Sequence, residues 1–352
     1  MRLEARDRIA RAATIAAPLG AAAVTLAISA LLVRWAGRPV LASFGALFEG
    51  GFGSRFALSE TLTRATPLIF TGLAAAVAFR ARFFNIGAEG QLYLGALAAV
   101  AVGGQLGGAL DLPAPIAFIA MIAAAALAGS LWLAIAALLR TRLAVDEVVT
   151  TLLTNFVVLL FVSWMLDGPM KDPAAMGWPQ SVSLPPELEL TKLIERTRLH
   201  SGFALALLCA AATWTVSKFT AFGFEARAVG ANAQAARFAG INVDATVIKT
   251  ALVSGALAGL AGAVEVAGRT NYVTLDMSPG YGYAGIVVAM LAALHPLAVV
   301  PAAIFIAGMF VGADSMSRAV GVPTYIADVI VAVSLLAVLV ATQMVRYRIR
   351  WR

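Results

Sequence analysis

The sequence predicts an all-α, polytopic membrane protein with about ten transmembrane helices, in one membrane domain over residues 1–352. Only 13% of the residues are charged and 61% are apolar, whereas soluble domains average about 25% charged residues. Several uncharged runs reach the ~20 residues that cross a bilayer, and basic residues cluster between alternate runs. This composition argues against an ordinary soluble enzyme, a disordered chain and a nucleic-acid-binding domain.

The predicted spans follow from the stretches without Asp, Glu, Lys or Arg. The nine ranges taken from such stretches are 13–33, 65–79, 90–110, 112–139, 148–166, 199–217, 250–264, 277–313 and 329–345. The longest has 37 residues, which as a helix is about 55 Å and nearly twice the hydrocarbon thickness. His295-Pro296 stands in its middle, and proline ends or kinks a helix. We therefore divide it into two spans, with a re-entrant pair of short helices as the alternative.

The basic residues predict the orientation of the chain. With the N-terminus inside, 16 of the 26 Lys and Arg residues fall on the cytoplasmic side, as the positive-inside rule expects. The cytoplasmic segments then include the N-terminus (1–12), a long loop (218–249) and a basic tail (346–352), and 167–201 is an outer loop. Both termini are predicted to be cytoplasmic. Within the outer loop, helical spacing of apolar residues predicts a short amphipathic helix over Glu187–Leu199.

Several kinds of catalytic chemistry have no signature in the sequence. No Lys follows a Gly, so a G-x-x-x-x-G-K-[ST] phosphate loop is absent, and neither G-x-S-x-G nor H-E-x-x-H occurs. One cysteine, Cys209, excludes an intramolecular disulfide. His200 and His295 stand far apart in the sequence, so we expect no metal site. The absence of these motifs favours a transport passage over an active site. Any ATPase would then be another chain, and a membrane-embedded enzyme is the disfavoured alternative.

Polar residues open the third predicted span. Asn85, Glu89 and Gln91 fall within a turn or two of one another, and glycines stand between them. An intramembrane carboxylate is costly and usually faces a cavity or a partner, and glycines allow a helix to unwind in a transporter. We therefore expect all three to line a passage. The alternative places Glu89 at the cytoplasmic interface, solvated or paired with Arg82.

The fifth span carries a polar stripe. Its pairs are Asp146-Glu147, Thr150-Thr151 and Thr154-Asn155. They recur every four residues and therefore share one helix face. Thr151 and Asn155 are the two residues of this stripe that we expect to line the passage, and plain interhelical hydrogen bonding is the alternative.

Two further segments have patterns of their own. Small residues recur every four positions in the seventh span and predict close helix packing: Ser254, Gly255, Gly259 and Gly262. The 218–249 loop contains alanine-rich stretches bounded by Gly230 and Gly240, which predict a short helix outside the bilayer. The sequence leaves two roles open for this helix: it docks a partner, or it simply lies at the membrane interface.

Three of these segments resemble one protein family. Phe84–Gln91 resembles the hallmark of nucleoside-type ABC importer permeases, within the sugar and branched-chain amino acid permease family. Asp146–Asn155 is similar to a second segment of that family, and Glu225–Asn242 stands where these permeases carry a coupling helix that meets the ATPase. The resemblance implies a type II importer fold with ten spans. It also implies coupling roles for Glu225, Arg227, Gly230, Asn232, Arg237 and Gly240.

The resemblance implies partners as well. These are a second, shorter permease in a heterodimer, an ATPase with two fused nucleotide-binding halves, and a lipid-anchored substrate-binding protein. This chain would bind no cofactor, because the ATPase uses the ATP. The expected function is inward nucleoside transport across the bacterial cytoplasmic membrane by alternating access. The alternatives are a simple-sugar or amino-acid ABC permease and an ion-coupled secondary transporter that works alone.

Overall fold

The computed structural model of the chain describes residues 2–5, 11–106 and 112–350. These residues divide into two compact units, one of Met1–Thr61 with Ile304–Arg352 and one of Leu62–Ala303. Thirteen α-helices lie in the described ranges: α1 (Arg11–Trp35), α2 (Val40–Phe52), α3 (Arg55–Arg80), α4 (Ala88–Val100), α5 (Ala114–Leu143), α6 (Glu147–Asp167), α7 (Gly202–Phe219), α8 (Ala221–Ala231), α9 (Ala233–Phe238), α10 (Val243–Glu265), α11 (Tyr281–Leu291), α12 (Pro296–Val320) and α13 (Thr324–Arg346).

Shorter elements accompany the helices. α4 continues into a π-helical turn at Ala101–Leu106, and α10 into another at Val266–Thr270. Two four-residue strands, β1 (Arg2–Ala5) and β2 (Tyr347–Arg350), pair antiparallel. These strands lie in the segments predicted as the N-terminus and the basic tail.

The helices confirm the predicted all-α, polytopic fold. Six of them are long and apolar enough to cross a membrane: α3, α5, α6, α7, α10 with its π-helical turn, and α12. Helices α1 and α2 form a seventh candidate when taken together, although the chain bends by 117° between them. α11 and the Thr324–Ser334 part of α13 are shorter apolar helices.

The long uncharged run divides where proline was expected to divide it. α11 ends at Leu291 and α12 begins at Pro296. Between them Ala293 and Leu294 adopt positive φ angles of 49° and 61°, which no α-helix tolerates. α11 has 11 residues and is about 16 Å long, half of a ~30 Å hydrocarbon core. α12, in contrast, has 25 residues and is long enough for a full span, so only α11 has the length expected of a short re-entrant helix.

Two local predictions differ from the structure. α2 was not predicted as a helix, because the uncharged stretch that ends before Glu49 is too short for a span. The amphipathic helix expected over Glu187–Leu199 is wrong, since the segment holds only one 3-10 turn, at Pro186–Leu188. The backbone N–H groups of this segment instead form non-helical hydrogen bonds. Leu190 N donates to Ala267 O at 2.8 Å, and Leu193 N donates to Leu199 O at 2.8 Å.

Helix α10 lies at the centre of the larger unit and packs closely on α4 and α5. Its contacts are backbone to backbone: a Cβ at Gly259 would overlap the Ala125 carbonyl, and one at Gly262 would overlap the Leu92 carbonyl. Gly255 meets Gly129 in the same way. Short side chains let these helices approach until backbone touches backbone. This close packing fixes the position of the polar residues on α4 and α10.

Candidate functional site

The chain between α3 and α4 is not helical, and side chains of α6 satisfy its backbone groups. Ile86 N donates to Thr151 Oγ1 at 3.1 Å, and Asn155 Nδ2 donates to Ile86 O at 3.0 Å. Asn155 Oδ1 also accepts from Gly90 N at 2.9 Å, in the first turn of α4. Buried backbone groups outside a helix need such partners. The polar stripe of α6 therefore holds the broken segment in place.

The side-chain amides of Asn85 and Gln91 form a reciprocal hydrogen-bonded pair across the same segment. Asn85 Nδ2 donates to Gln91 Oε1 at 2.9 Å, and Gln91 Nε2 donates to Asn85 Oδ1 at 3.0 Å. Asn85 Nδ2 also donates to Ser254 Oγ at 3.1 Å, and that hydroxyl donates to Ala74 O at 2.8 Å. Asn85 is fully buried. Ser254, predicted only as a packing residue, thus joins α10 to the polar network.

Glu89 is buried within the protein rather than solvated. Its exposed fraction is 4%, and its Oε2 accepts a hydrogen bond from Gly282 N at 2.6 Å. Gly282 belongs to the first turn of α11, where unpaired N–H groups and the helix dipole favour a negative charge. Arg82, its partner in the alternative reading, is exposed, and we find no support for that reading.

Asn155 connects the network to α11 as well. Its Nδ2 lies 3.1 Å from the Tyr283 hydroxyl and donates to it. Tyr283 and Gly282 were not predicted as site residues. The glycines and tyrosines that follow Gly280 in the sequence were the available signal. α4, α6, α10 and α11 therefore meet through side-chain hydrogen bonds at one place.

An ion pair between Arg140 and Glu147 lies at one end of the network. Arg140 Nη1 lies 2.7 Å from Glu147 Oε1 and donates to Arg82 O at 2.8 Å. The same carboxylate oxygen accepts from Phe84 N at 3.3 Å. Glu147 thereby adds a third contact between α6 and the broken segment.

All five residues predicted to line a passage lie in this one network. Asn85, Glu89, Gln91, Thr151 and Asn155 are each at most 4% exposed. In this conformation they bond to one another and to backbone groups rather than facing an open channel. Across the described ranges, no three His, Cys, Asp or Glu residues approach closely enough to hold a metal ion.

The predicted coupling segment forms the two short helices α8 and α9. Gly230 packs against the end of α3, and a Cβ there would overlap the Arg80 carbonyl. Arg227 donates to the Ser217 carbonyl at the end of α7. Asn232 caps α9, since its Oδ1 accepts from Gln234 N and Ala235 N at 3.0 Å each.

The other three predicted coupling residues also make local contacts. Glu225 Oε2 accepts from Thr246 Oγ1 at 3.4 Å, and Arg237 lies 3.7 Å from Asp244. Gly240 follows α9 with a φ of +86°, a left-handed conformation that favours glycine. Phe238, at the end of α9, is 96% exposed and was not among the predicted coupling residues.

Comparisons with known proteins agree on one family. A family model described as "Branched-chain amino acid transport system / permease component" matches residues 57–339. The guanosine ABC transporter permease protein NupP of Bacillus subtilis is 37% identical over 94% of each chain. The glucose ABC transporter permease protein TsgB13 of Haloferax volcanii is 36% identical over 87% of this chain and 82% of its own. The nucleoside ABC transporter permease protein NupB of Lactococcus lactis is 30% identical over 81% and 80%. No solved structure matches significantly.

Proposed function

The chain belongs to the family of permease components of branched-chain amino acid transport systems, and on this premise we propose that it carries nucleosides inward through an ABC importer. The observation that carries the proposal is the buried polar network where the broken entry to α4 meets α6, α10 and α11. Broken helices with exposed backbone groups form substrate sites in several transporters. Similarity to guanosine and nucleoside permeases over most of the chain supports the substrate class.

The proposed pathway runs through the network residues Asn85, Glu89, Gln91, Thr151 and Asn155. Their amide, hydroxyl and carboxylate groups complement the hydroxyls of a ribose and the polar edge of a base. Alternating access would separate α11 from α4, and a passing nucleoside would then replace the bonds that the network makes to itself. Such replacement binds the nucleoside weakly, which suits a pathway because tight binding slows release.

The ATPase in this proposal docks on α8 and α9. It consists of two fused nucleotide-binding halves and consumes the ATP, so this chain has no ATPase site of its own. Gly230 and Arg227 transmit the motion, because they join α8 to the ends of α3 and α7. Glu225, Asn232, Arg237 and Gly240 keep α8 and α9 in position against α10.

The proposed importer contains further subunits in the bacterial cytoplasmic membrane. A second, shorter permease would complete a heterodimer, and the match of two guanosine permease proteins from Bacillus subtilis, NupP and NupQ, supports a paired arrangement. A lipid-anchored protein would deliver the nucleoside from outside. Both termini of this chain would be cytoplasmic.

Reconstitution tests the function and its alternatives together. Vesicles should contain this chain, the second permease, the ATPase and the binding protein, and uptake of radiolabelled guanosine and glucose should be compared. We expect guanosine uptake that needs ATP and all four components. Uptake of glucose alone would establish the sugar alternative. Uptake by this chain alone that collapses with the proton gradient would establish an ion-coupled transporter instead.

A further inference from the structure

A polar cavity lies at the end of α10 far from the coupling helices. Its volume is about 370 Å³, and the residues around it include Trp178, Arg198, Thr270, Tyr272, Thr274 and Asp276. α9 precedes the first residue of α10, whereas Thr270 is the last residue of its π-helical turn. The 28 residues from Val243 to Thr270 extend about 42 Å as helix. The cavity and the proposed ATPase surface are therefore at opposite ends of one span.

The lining of the cavity has the chemistry of a nucleoside site. Trp178 is 64% exposed, and with Tyr272 it offers aromatic faces on which a base can stack. Asp276 is exposed, and its carboxylate can accept hydrogen bonds from the two ribose hydroxyls. A cavity of this size falls within the about 300–1,000 Å³ of small-molecule sites.

Hydrogen bonds connect the segment that contains Leu275 and Ser278, next to the cavity, to the buried polar network. Leu275 O accepts from the Tyr93 hydroxyl of α4 at 2.6 Å, and Ser278 N donates to the same hydroxyl at 3.4 Å. Four residues further on, Gly282 N donates to Glu89. The chain segment that contributes Thr274 and Asp276 to the cavity, and the start of α11, are thus held by α4. A ligand that displaced this segment would reach the network directly.

We propose that this cavity is the entry site at which a nucleoside binds the permease before it passes into the membrane. The inference rests on the proposed function and adds a location and named contacts to it. The base stacks between Trp178 and Tyr272, and the Asp276 carboxylate binds its ribose. The site opens on the outer face, where the binding protein releases its ligand.

Cysteine labelling tests the site directly, because Cys209 is the chain's one cysteine. Thr274→Cys is placed in a Cys209→Ser background of the full chain, in the assembled transporter. A membrane-impermeant maleimide is added from outside, with and without guanosine or glucose. We expect labelling from outside that guanosine slows severalfold and glucose does not. Arg198→Cys, at another exposed residue of the cavity lining, provides a second reporter if the first variant does not assemble.

Two controls separate binding from indirect effects. Glu195→Cys is exposed in the same outer segment and does not line the cavity, so its labelling should not respond to guanosine. In the reporter background, Trp178→Ala should raise the guanosine concentration for half-protection about tenfold, and Trp178→Phe should keep it near that of the parent, because stacking needs only the ring.

Guanosine uptake by the same transporter distinguishes the two proposals. Labelling that guanosine leaves unchanged, in a transporter that still imports guanosine, overturns the entry site and leaves the function standing. Guanosine protection without guanosine uptake overturns the function and supports the site. Protection by glucose alone overturns the nucleoside assignment of the cavity.

Discussion

The Glu89 carboxylate accepts a 2.6 Å hydrogen bond from the Gly282 amide and thereby joins α4 to the first turn of α11. The contact is buried, and a Cβ at Gly282 would overlap the Glu89 backbone. A carboxylate at a helix N-terminus is stabilised by the dipole and by charge-assisted bonding. α11 is short and joined to α12 by residues with positive φ angles. We infer that Glu89 controls whether the start of α11 stays against α4.

Glu89→Gln should therefore impair transport while leaving the protein inserted. The amide of glutamine keeps an acceptor but loses the charge, and a charge-assisted bond is worth about 1.5–3 kcal/mol against about 1 kcal/mol for a neutral one. We expect at least a severalfold fall in guanosine uptake by the reconstituted importer. Glu195→Gln, an exposed control, should transport normally. Wild-type rates in Glu89→Gln would remove Glu89 from the proposed pathway.

Asn155→Ala should reduce both stability and uptake. The substitution leaves Ile86 O and Gly90 N without their partner, and each buried unsatisfied group costs about 1–3 kcal/mol. Thermal unfolding in detergent should show a clearly lower Tm. Thr154→Ala is the matched control, because the hydrogen bond that the structure describes for its hydroxyl goes to Thr151 O of its own helix. Equal Tm values for the two variants would contradict the bracing role of Asn155.

The distribution of charge predicted the membrane helices well, because charged side chains are costly inside a bilayer. The uncharged runs mark the helices, and His295-Pro296 marks the break before α12. Periodicity failed over Glu187–Leu199, where distant backbone groups such as Ala267 O take the hydrogen bonds that a helix would make. The spacing of apolar residues gives no information about such long-range hydrogen bonds.

The site was predictable only in part. Asn85, Glu89 and Asn155 were noticeable because a polar side chain in an apolar span has few tolerated roles. The 3.1 Å bond between Asn155 and Tyr283 joins residues 128 positions apart, and no local pattern encodes it. Gly230 was selected as a boundary of a helix, yet it lies against the Arg80 carbonyl. Its position depends on how α8 packs on α3, which only the fold supplies.

Phe238→Ala should uncouple transport without destabilising the chain. The ring is 96% exposed, so its removal costs little stability, but in the proposed complex it would be buried against the ATPase. We expect an unchanged Tm together with reduced uptake and reduced guanosine-stimulated ATP hydrolysis. Phe156→Ala is the control, since Phe156 is 57% exposed on α6, away from α9. Normal coupling in Phe238→Ala would exclude this residue from the docking surface.

Gly262→Ala should destabilise the larger unit. The added methyl group would overlap the Leu92 carbonyl, and overpacking of this kind costs about 1–3 kcal/mol. Gly45→Ala makes an instructive comparison, because no described atom lies within 4 Å of its Cβ position and alanine is about 1 kcal/mol better than glycine in a helix. We expect a lower Tm for the first variant and an unchanged or higher Tm for the second. A tolerated Gly262→Ala would show that α4 and α10 can separate at no cost.

His200 should make the protein acid-sensitive. The residue lies just before α7, fully enclosed, with Gly268 against its ring. Burial, and then the charge of Arg269, lower the pKa of His200 to about 4, whereas an unfolded histidine titrates near 6.5. The unfolded state therefore binds the proton first, and stability falls as the pH drops below about 6.5. Between pH 7 and 5 the loss attributable to His200 is about 2 kcal/mol.

His200→Phe tests this pH dependence, because it keeps an aromatic ring and removes the titrating group. Its Tm should decline less than that of the wild type between pH 7 and 5. Phe156→Ala, which removes no titrating group, should retain the wild-type slope. If the His200→Phe slope matched the wild type, the buried imidazole would not be the group that senses acid.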